Sequence, residues 1–177
     1  TSNTTKLADG AALNLNGGAV ELLGGSHTEV VASTVVNSGG TIITQTGGSS
    51  VLQMGTVTRT QGATISFSAG SIATATTWAN NAGGILGGWA TVGSNWAVNS
   101  GGTIVALASY TALPSTTTVS ANTNYQLSGS ATQTGDVTGN SLRLVNSANS
   151  DILALGTAVI NAGAGHEAGL IYAGGFD

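Results

Sequence analysis

The side chains with which this chain could move a proton, hold a metal or attack a bond are few and scattered. Its carboxylates are Asp9, Glu21, Glu29, Asp136, Asp151, Glu167 and Asp177, and its imidazoles are His27 and His166. Sugar-cleaving chemistry needs two carboxyl groups held across one bond, and no two of these seven are spaced to share a strand face. Lys6, Arg59 and Arg143 are the whole basic inventory for stabilising charge at a substrate. A zinc site wants three or four ligands, and without cysteine it would have to recruit both histidines, 139 residues apart, plus an acid. Serine is abundant, yet none lies in the G-x-S-x-G elbow that exposes a nucleophile between strand and helix. The glycine pairs lack the G-x-x-x-x-G-K-[ST] pattern of a phosphate loop. The acids therefore read as solvated surface, the histidines as turn residues and the glycines as turn geometry. No catalytic, cofactor-binding or metal-ligating residue is expected, and no cofactor.

The aromatic residues Trp78, Trp89, Trp96, Tyr110, Tyr125 and Tyr172 are the remaining candidates, as a platform on which sugar rings could stack. Alternation places Tyr125 on an inward face and Trp89 in an alternating strand, so core and corner packing is the preferred reading. Threonine-rich runs such as Thr56-Val57-Thr58 shift position from repeat to repeat, which suits strand propensity better than a fixed ice-binding row.

Composition narrows the partners. Only 6% of the 177 residues are charged, with a net charge of −4, so the surface must be built from hydroxyls and amides. That supplies no basic face for nucleic acid and no polybasic cluster for a membrane surface. No apolar run is long enough for a transmembrane helix, and there is no cysteine for a disulfide framework. The start, TSNTTKLADG, lacks both a Met and the pattern of a signal peptide, so the chain reads as a segment of something longer.

The elements that must carry these residues are strands. Twenty-eight glycines and an excess of β-branched residues disfavour helix, and short alternating runs such as Thr64-Ile65-Ser66-Phe67 and Ser141-Leu142-Arg143-Leu144 read as half-buried strands, Arg143 outward. Turn-plus-strand units recur from Asn16, Asn37, Thr60, Asn81, Asn99 and Ala121. Their first inward residues read as Val20, Ile42, Ile65, Ile85, Ile104 and Tyr125, at intervals of 22, 23, 20, 19 and 21. Between them lie further runs: Val30 to Val36, Val51 to Met54, Trp89 to Val92 and Trp96 to Val98. Two or three short strands in every about 20 residues predict an all-β, right-handed parallel β-helix (a solenoid) of about eight coils. Asn16, Asn37, Asn81, Asn99 and Asn161 are placed to form a turn ladder. Residues 1–177 read as one such segment, with a loop or bulge at 113–117 around the sole proline, Pro114.

Gly83-Gly84-Ile85-Leu86-Gly87-Gly88-Trp89-Ala90-Thr91-Val92-Gly93-Ser94-Asn95-Trp96-Ala97, with Gly169-Leu170-Ile171-Tyr172-Ala173-Gly174-Gly175, resembles the autotransporter-associated β-strand repeat proteins, very large surface proteins of bacteria such as Planctomycetes and Verrucomicrobia. The resemblance implies a β-helical passenger or stalk outside the cell, at the bacterial surface, and brings no catalytic residues. On this reading the stretch from Gly83 to Gly102 is one coil. The expected role is a structural or adhesive stalk or fibre segment and not an enzyme, its partners being neighbouring coils or further copies of itself, with surface glycans as a further candidate. A carbohydrate-binding or polysaccharide-degrading β-helix is the alternative.

Overall fold

In the computed structural model, which describes residues 6–146, 151–163 and 169–173, every regular element is a strand. The chain divides into two compact units, one comprising Thr1–Asn80 with Trp89–Ala106 and the other Asn81–Gly88 with Leu107–Asp177.

The first unit winds three coils. β1 (Ala12–Leu15), β2 (Gly18–Gly25) and β3 (Thr28–Val30) make the first; β4 (Ser33–Val36), β5 (Gly40–Gly48) and β6 (Val51–Gln53) the second; β7 (Thr56–Arg59), β8 (Thr64–Phe67) and β9 (Ala73–Thr74) the third. Corresponding strands pair in parallel as β1-β4-β7, β2-β5-β8 and β3-β6-β9. Inward side chains stack in columns: Leu15 on Val36 on Arg59, Val20 on Ile43 on Phe67, and Glu29 on Leu52 on Ala73. The solenoid expected from the repeats is therefore the fold, with about six turns roughly 23 residues apart among the described residues instead of the expected eight.

Two details of the expected register change. Ile42 is 47% exposed and Ile43 fully buried, because Thr41, not Ile42, pairs with Ile65. Two adjacent isoleucines satisfy alternation in either phase, and the buried Thr41 settles it only through its partner. The run from Val30 to Val36 is two strands, with the chain turning at Val31-Ala32. Val31, Thr34 and Val36 are all buried, a sequence of positions that period-two alternation cannot give without a corner between 31 and 34.

The stretch from Gly83 to Gly102 is not a coil. Residues 81–88 belong to the second unit, and 89–106 form an antiparallel meander of β10 (Ala90–Val92), β11 (Asn95–Ser100) and β12 (Thr103–Ala106) in the first. β10 continues the parallel stack on β8, β11 and β12 reverse, and β12 pairs antiparallel with β9. The last coil thus has two of its sheets joined across its end into one nine-stranded sheet. The reversals are two-residue loops, Gly93-Ser94 and Gly101-Gly102, and Gly93, Gly101 and Gly102 have the positive φ that tight hairpin turns demand. Trp96 and Ile104 are buried in this meander.

The second unit carries β13 (Thr111–Ala112), β14 (Thr118–Val119), β15 (Asn124–Ser128), β16 (Ala131–Thr132), β17 (Val137–Gly139), β18 (Ser141–Val145), β19 (Leu153–Ala154), β20 (Ile160–Ala162) and β21 (Gly169–Ala173). They form the parallel sheets β13-β15-β18-β21, β14-β17-β20 and β16-β19. Residues 113–117 loop between β13 and β14. Tyr125, Val137 and Leu142 form the core, with Leu113, Leu144 and Ile160 against it. Tyr125 pairs with Leu142 after 17 residues and Leu142 with Leu170 after 28, an irregularity no fixed period describes. Residues 81–88 are tied in by an amide network: Asn124 Nδ2 donates to Gly83 O (2.7 Å), Asn140 Nδ2 to Asn124 Oδ1 (2.6 Å) and Asn81 Nδ2 to Asn140 Oδ1 (3.1 Å).

Candidate functional site

Among the described residues, a serine and a histidine meet at stacked corners. His27 lies in the corner between β2 and β3, and Ser50 in the equivalent corner one coil on, between β5 and β6. Ser50 Oγ is 2.8 Å from His27 Nδ1 and donates to Gly24 O at 2.9 Å. With the hydroxyl proton committed to that carbonyl, Nδ1 must carry the imidazole proton and donate to Ser50 Oγ. A general base needs the reverse, an unprotonated nitrogen facing the hydroxyl. Ser50 is also fully buried, and Gln45 Nε2 donates to its carbonyl (2.5 Å). The pair clamps two corners together. A motif search misses it because its signature is only that Ser50 follows His27 by 23 residues, one coil.

The carboxylates divide by position in the stack. Glu21 points outward from β2 and is exposed, as expected. Glu29 does not behave as solvated surface: it is 4% exposed, at the head of the inward column that continues with Leu52 and Ala73. Its carboxylate accepts from the backbone N–H of Lys6, at 2.9 and 3.1 Å, and from that of Leu7. Charge-assisted bonds to backbone N–H groups compensate the desolvation of a buried carboxylate. In the second unit Asp136 Oδ1 accepts from Val159 N (2.8 Å). His166, Glu167, Asp177 and the Gly174-Gly175 pair lie outside the described residues. Among the described residues no three His, Asp or Glu side chains gather as a metal set.

Two tryptophans of the first unit are packed together. Trp78 and Trp89 meet at 5.0 Å between ring centroids, tilted by 52°, and the Arg59 guanidinium lies 4.7 Å over the Trp89 ring. Arg59 ends the inward column of Leu15 and Val36, and donates to Ala63 O at 2.9 Å. Burial pushes its guanidinium below the ordinary value, and ring and carbonyl compensate. In the second unit Arg143 is half-buried, donating to Gln126 Oε1 (2.5 Å) with Tyr110 at 5.3 Å, and Tyr125 is core. Tyr172 is the most exposed of the tyrosines, at 44%.

The expected asparagine ladder exists at one corner: Asn37 Nδ2 donates to Asn16 Oδ1 (2.9 Å) and Thr60 Oγ1 donates to Asn37 Oδ1 (3.1 Å). Asn81 and Asn99 are not its further rungs. Asn81 joins the amide network of the second unit, and Asn99 Oδ1 accepts from Gly102 N (2.8 Å) to hold the β11–β12 hairpin. No protein-family description, no curated protein and no solved structure matches this chain.

Proposed function

We propose that the chain is a structural or adhesive β-solenoid segment of a large bacterial surface protein, similar in role to the autotransporter-associated repeat proteins it resembles in sequence. The observation that carries this reading is where the reactive groups go. Glu29, Ser50, His27, Asp136 and Arg59 each hold one part of the stack to another, which leaves a hydroxyl- and amide-rich exterior over cooperative backbone ladders. Such a stack resists local opening because every coil shares its backbone hydrogen bonds with its neighbours. The same neutral exterior suits close contact with neighbouring chains at the cell surface, where long-range charge repulsion would otherwise hold them apart.

Two measurements on the same protein test the proposal. Single-molecule pulling should give unfolding events well above those of helical domains of similar length, and a glycan array should show no retention. Retention of a defined glycan that is lost on replacing Trp89 or Tyr172 would instead establish the carbohydrate-binding alternative.

A further inference from the structure

The corner between β1 and β2 holds the sole Asn-Gly pair of the sequence, Asn16-Gly17. Glycine has no Cβ to shield its backbone nitrogen, which leaves that nitrogen open to the carboxamide carbon of the residue before it. Gly17 has a φ of +90° and lies between the two strands, outside both ladders. Asn16 is exposed. Its carboxamide is held on one side only: Asn37 Nδ2 donates to Asn16 Oδ1 at 2.9 Å, and no described residue accepts from Asn16 Nδ2.

Other asparagines lack one of these two features. Asn37, Asn80 and Asn81 donate through Nδ2 to Asn16, Asn99 and Asn140 in turn. Asn99 donates to the carbonyls of Ala75 and Trp78, Asn124 to that of Gly83, and Asn140 to Asn124 Oδ1. Asn14, Asn95, Asn122 and Asn161 make no such bond among the described residues, but Leu, Trp, Thr and Ala follow them, each with a side chain that crowds the attacking nitrogen. Only at Asn16 do a free amide nitrogen and a following glycine coincide.

We propose that Asn16 is a site of spontaneous covalent modification, through a cyclic imide formed with Gly17. The Gly17 nitrogen bonds to Asn16 Cγ, the Cγ–Nδ2 bond breaks, and ammonia leaves carrying the proton from the Gly17 N–H. As Cγ becomes tetrahedral, negative charge develops on Oδ1, where Asn37 Nδ2 already donates. Thr60 Oγ1 in turn holds Asn37 Oδ1 at 3.1 Å. Water then opens the imide. Attack at Cγ restores the original chain path with aspartate at position 16, and attack at the backbone carbonyl carbon routes the chain through Cγ as isoaspartate. No oxidant or reductant takes part.

The two products load the corner differently. Aspartate still accepts from Asn37 Nδ2, now in a charge-assisted bond. Isoaspartate adds a backbone carbon between Leu15, which pairs with Val36, and Gly18, which pairs with Thr41. Asn16 and Gly17 cannot absorb that length with both strands in register, and the bond from Asn37 N to Leu15 O (2.8 Å) lies beside it. Isoaspartate thus turns the first corner of the solenoid into a weak point. The inference does not depend on the proposed function.

The test is to hold the folded full chain at mildly alkaline pH, where the attacking nitrogen loses its proton more readily, and to follow it by intact mass and peptide mapping. The expected result is a gain of about 1 Da that appears first in the peptide carrying Asn16, part of the product being a substrate for an isoaspartate-specific methyltransferase. Asn16→Gln, whose imide ring is one atom larger, should slow the gain in that peptide by about tenfold or more. The tryptophan-monitored urea midpoint should fall in the isoaspartate fraction and stay unchanged in Asn16→Asp. A first mass gain at another asparagine overturns the assignment. So does modification of Asn16 in urea but not in the folded chain, which would mean that the corner holds Cγ away from the Gly17 nitrogen. An isoaspartate fraction with an unchanged midpoint overturns the structural consequence drawn for it.

Discussion

Replacing Gly55 with alanine separates two demands that a coil corner places on glycine. Gly47 and Gly55 both lie in the left-handed region, at φ of +66° and +61°, so a Cβ at either costs about 1–2 kcal/mol in backbone conformation. Their surroundings differ. A Cβ on Gly47 meets nothing within 4 Å, whereas one on Gly55 would come closer than 3.0 Å to Ala32 O, Ala32 C and Val31 O of the neighbouring coil. These are backbone atoms and cannot rotate away, so the corner between β6 and β7 must lift. Lifting strains the bonds from Thr56 N to Ala32 O (3.3 Å) and from Thr34 Oγ1 to Met54 O (2.8 Å). Those two bonds are worth about 1 kcal/mol each, and overpacking adds about 1–3 kcal/mol. Gly47→Ala should therefore destabilise the first unit by about 1–2 kcal/mol and Gly55→Ala by about 4–7 kcal/mol. All three tryptophans lie in the first unit and all three tyrosines in the second, so tryptophan emission during urea titration follows the first unit alone. The expected result is a midpoint loss at least twice as large for Gly55→Ala, with unchanged slope. Equal losses, or a larger one for Gly47→Ala, would refute the close stacking of these corners.

Gly83→Ala tests the amide network of the second unit. Its Cβ would come closer than 3.0 Å to Asn140 Nδ2, Cγ and Cβ, displacing a buried side chain bonded to both Asn124 and Asn81. Stranding those partners should cost about 2–4 kcal/mol, read as an earlier tyrosine-monitored transition with little change in the tryptophan-monitored one. Arg59→Met keeps the apolar stem and removes the charge over Trp89 and the bond to Ala63 O, for an expected loss of about 1–2 kcal/mol and altered tryptophan emission in the folded state. No change in either quantity would mean that Arg59 contributes only its stem to the packing.

The fold class was legible because corners and strands use separate vocabularies here: glycine and asparagine punctuate, and β-branched residues alternate between them. The coil count was not. The hairpin loops Gly93-Ser94 and Gly101-Gly102 use the same residues as the corners around Gly39-Gly40, and only their length of two residues, measured between strand ends, turns a stack into a meander. A period search registers both as another repeat. The phase at Ile42-Ile43 was undetermined for a related reason, since either isoleucine satisfies the pattern and the choice rests on whether Thr41 or Ile42 meets Ile65.

Glu29 shows a different limit. Thr28-Glu29-Val30 reads locally as an outward carboxylate, and what reverses it is a pair of backbone N–H groups more than twenty residues earlier, at Lys6 and Leu7. Local pattern carries no information about such a partner. Position in the stack does, because a column's interior residues are buried by the coils on either side, while its terminal residue has a coil on one side only. That residue can be polar when something bonds it, as at Glu29 and Arg59.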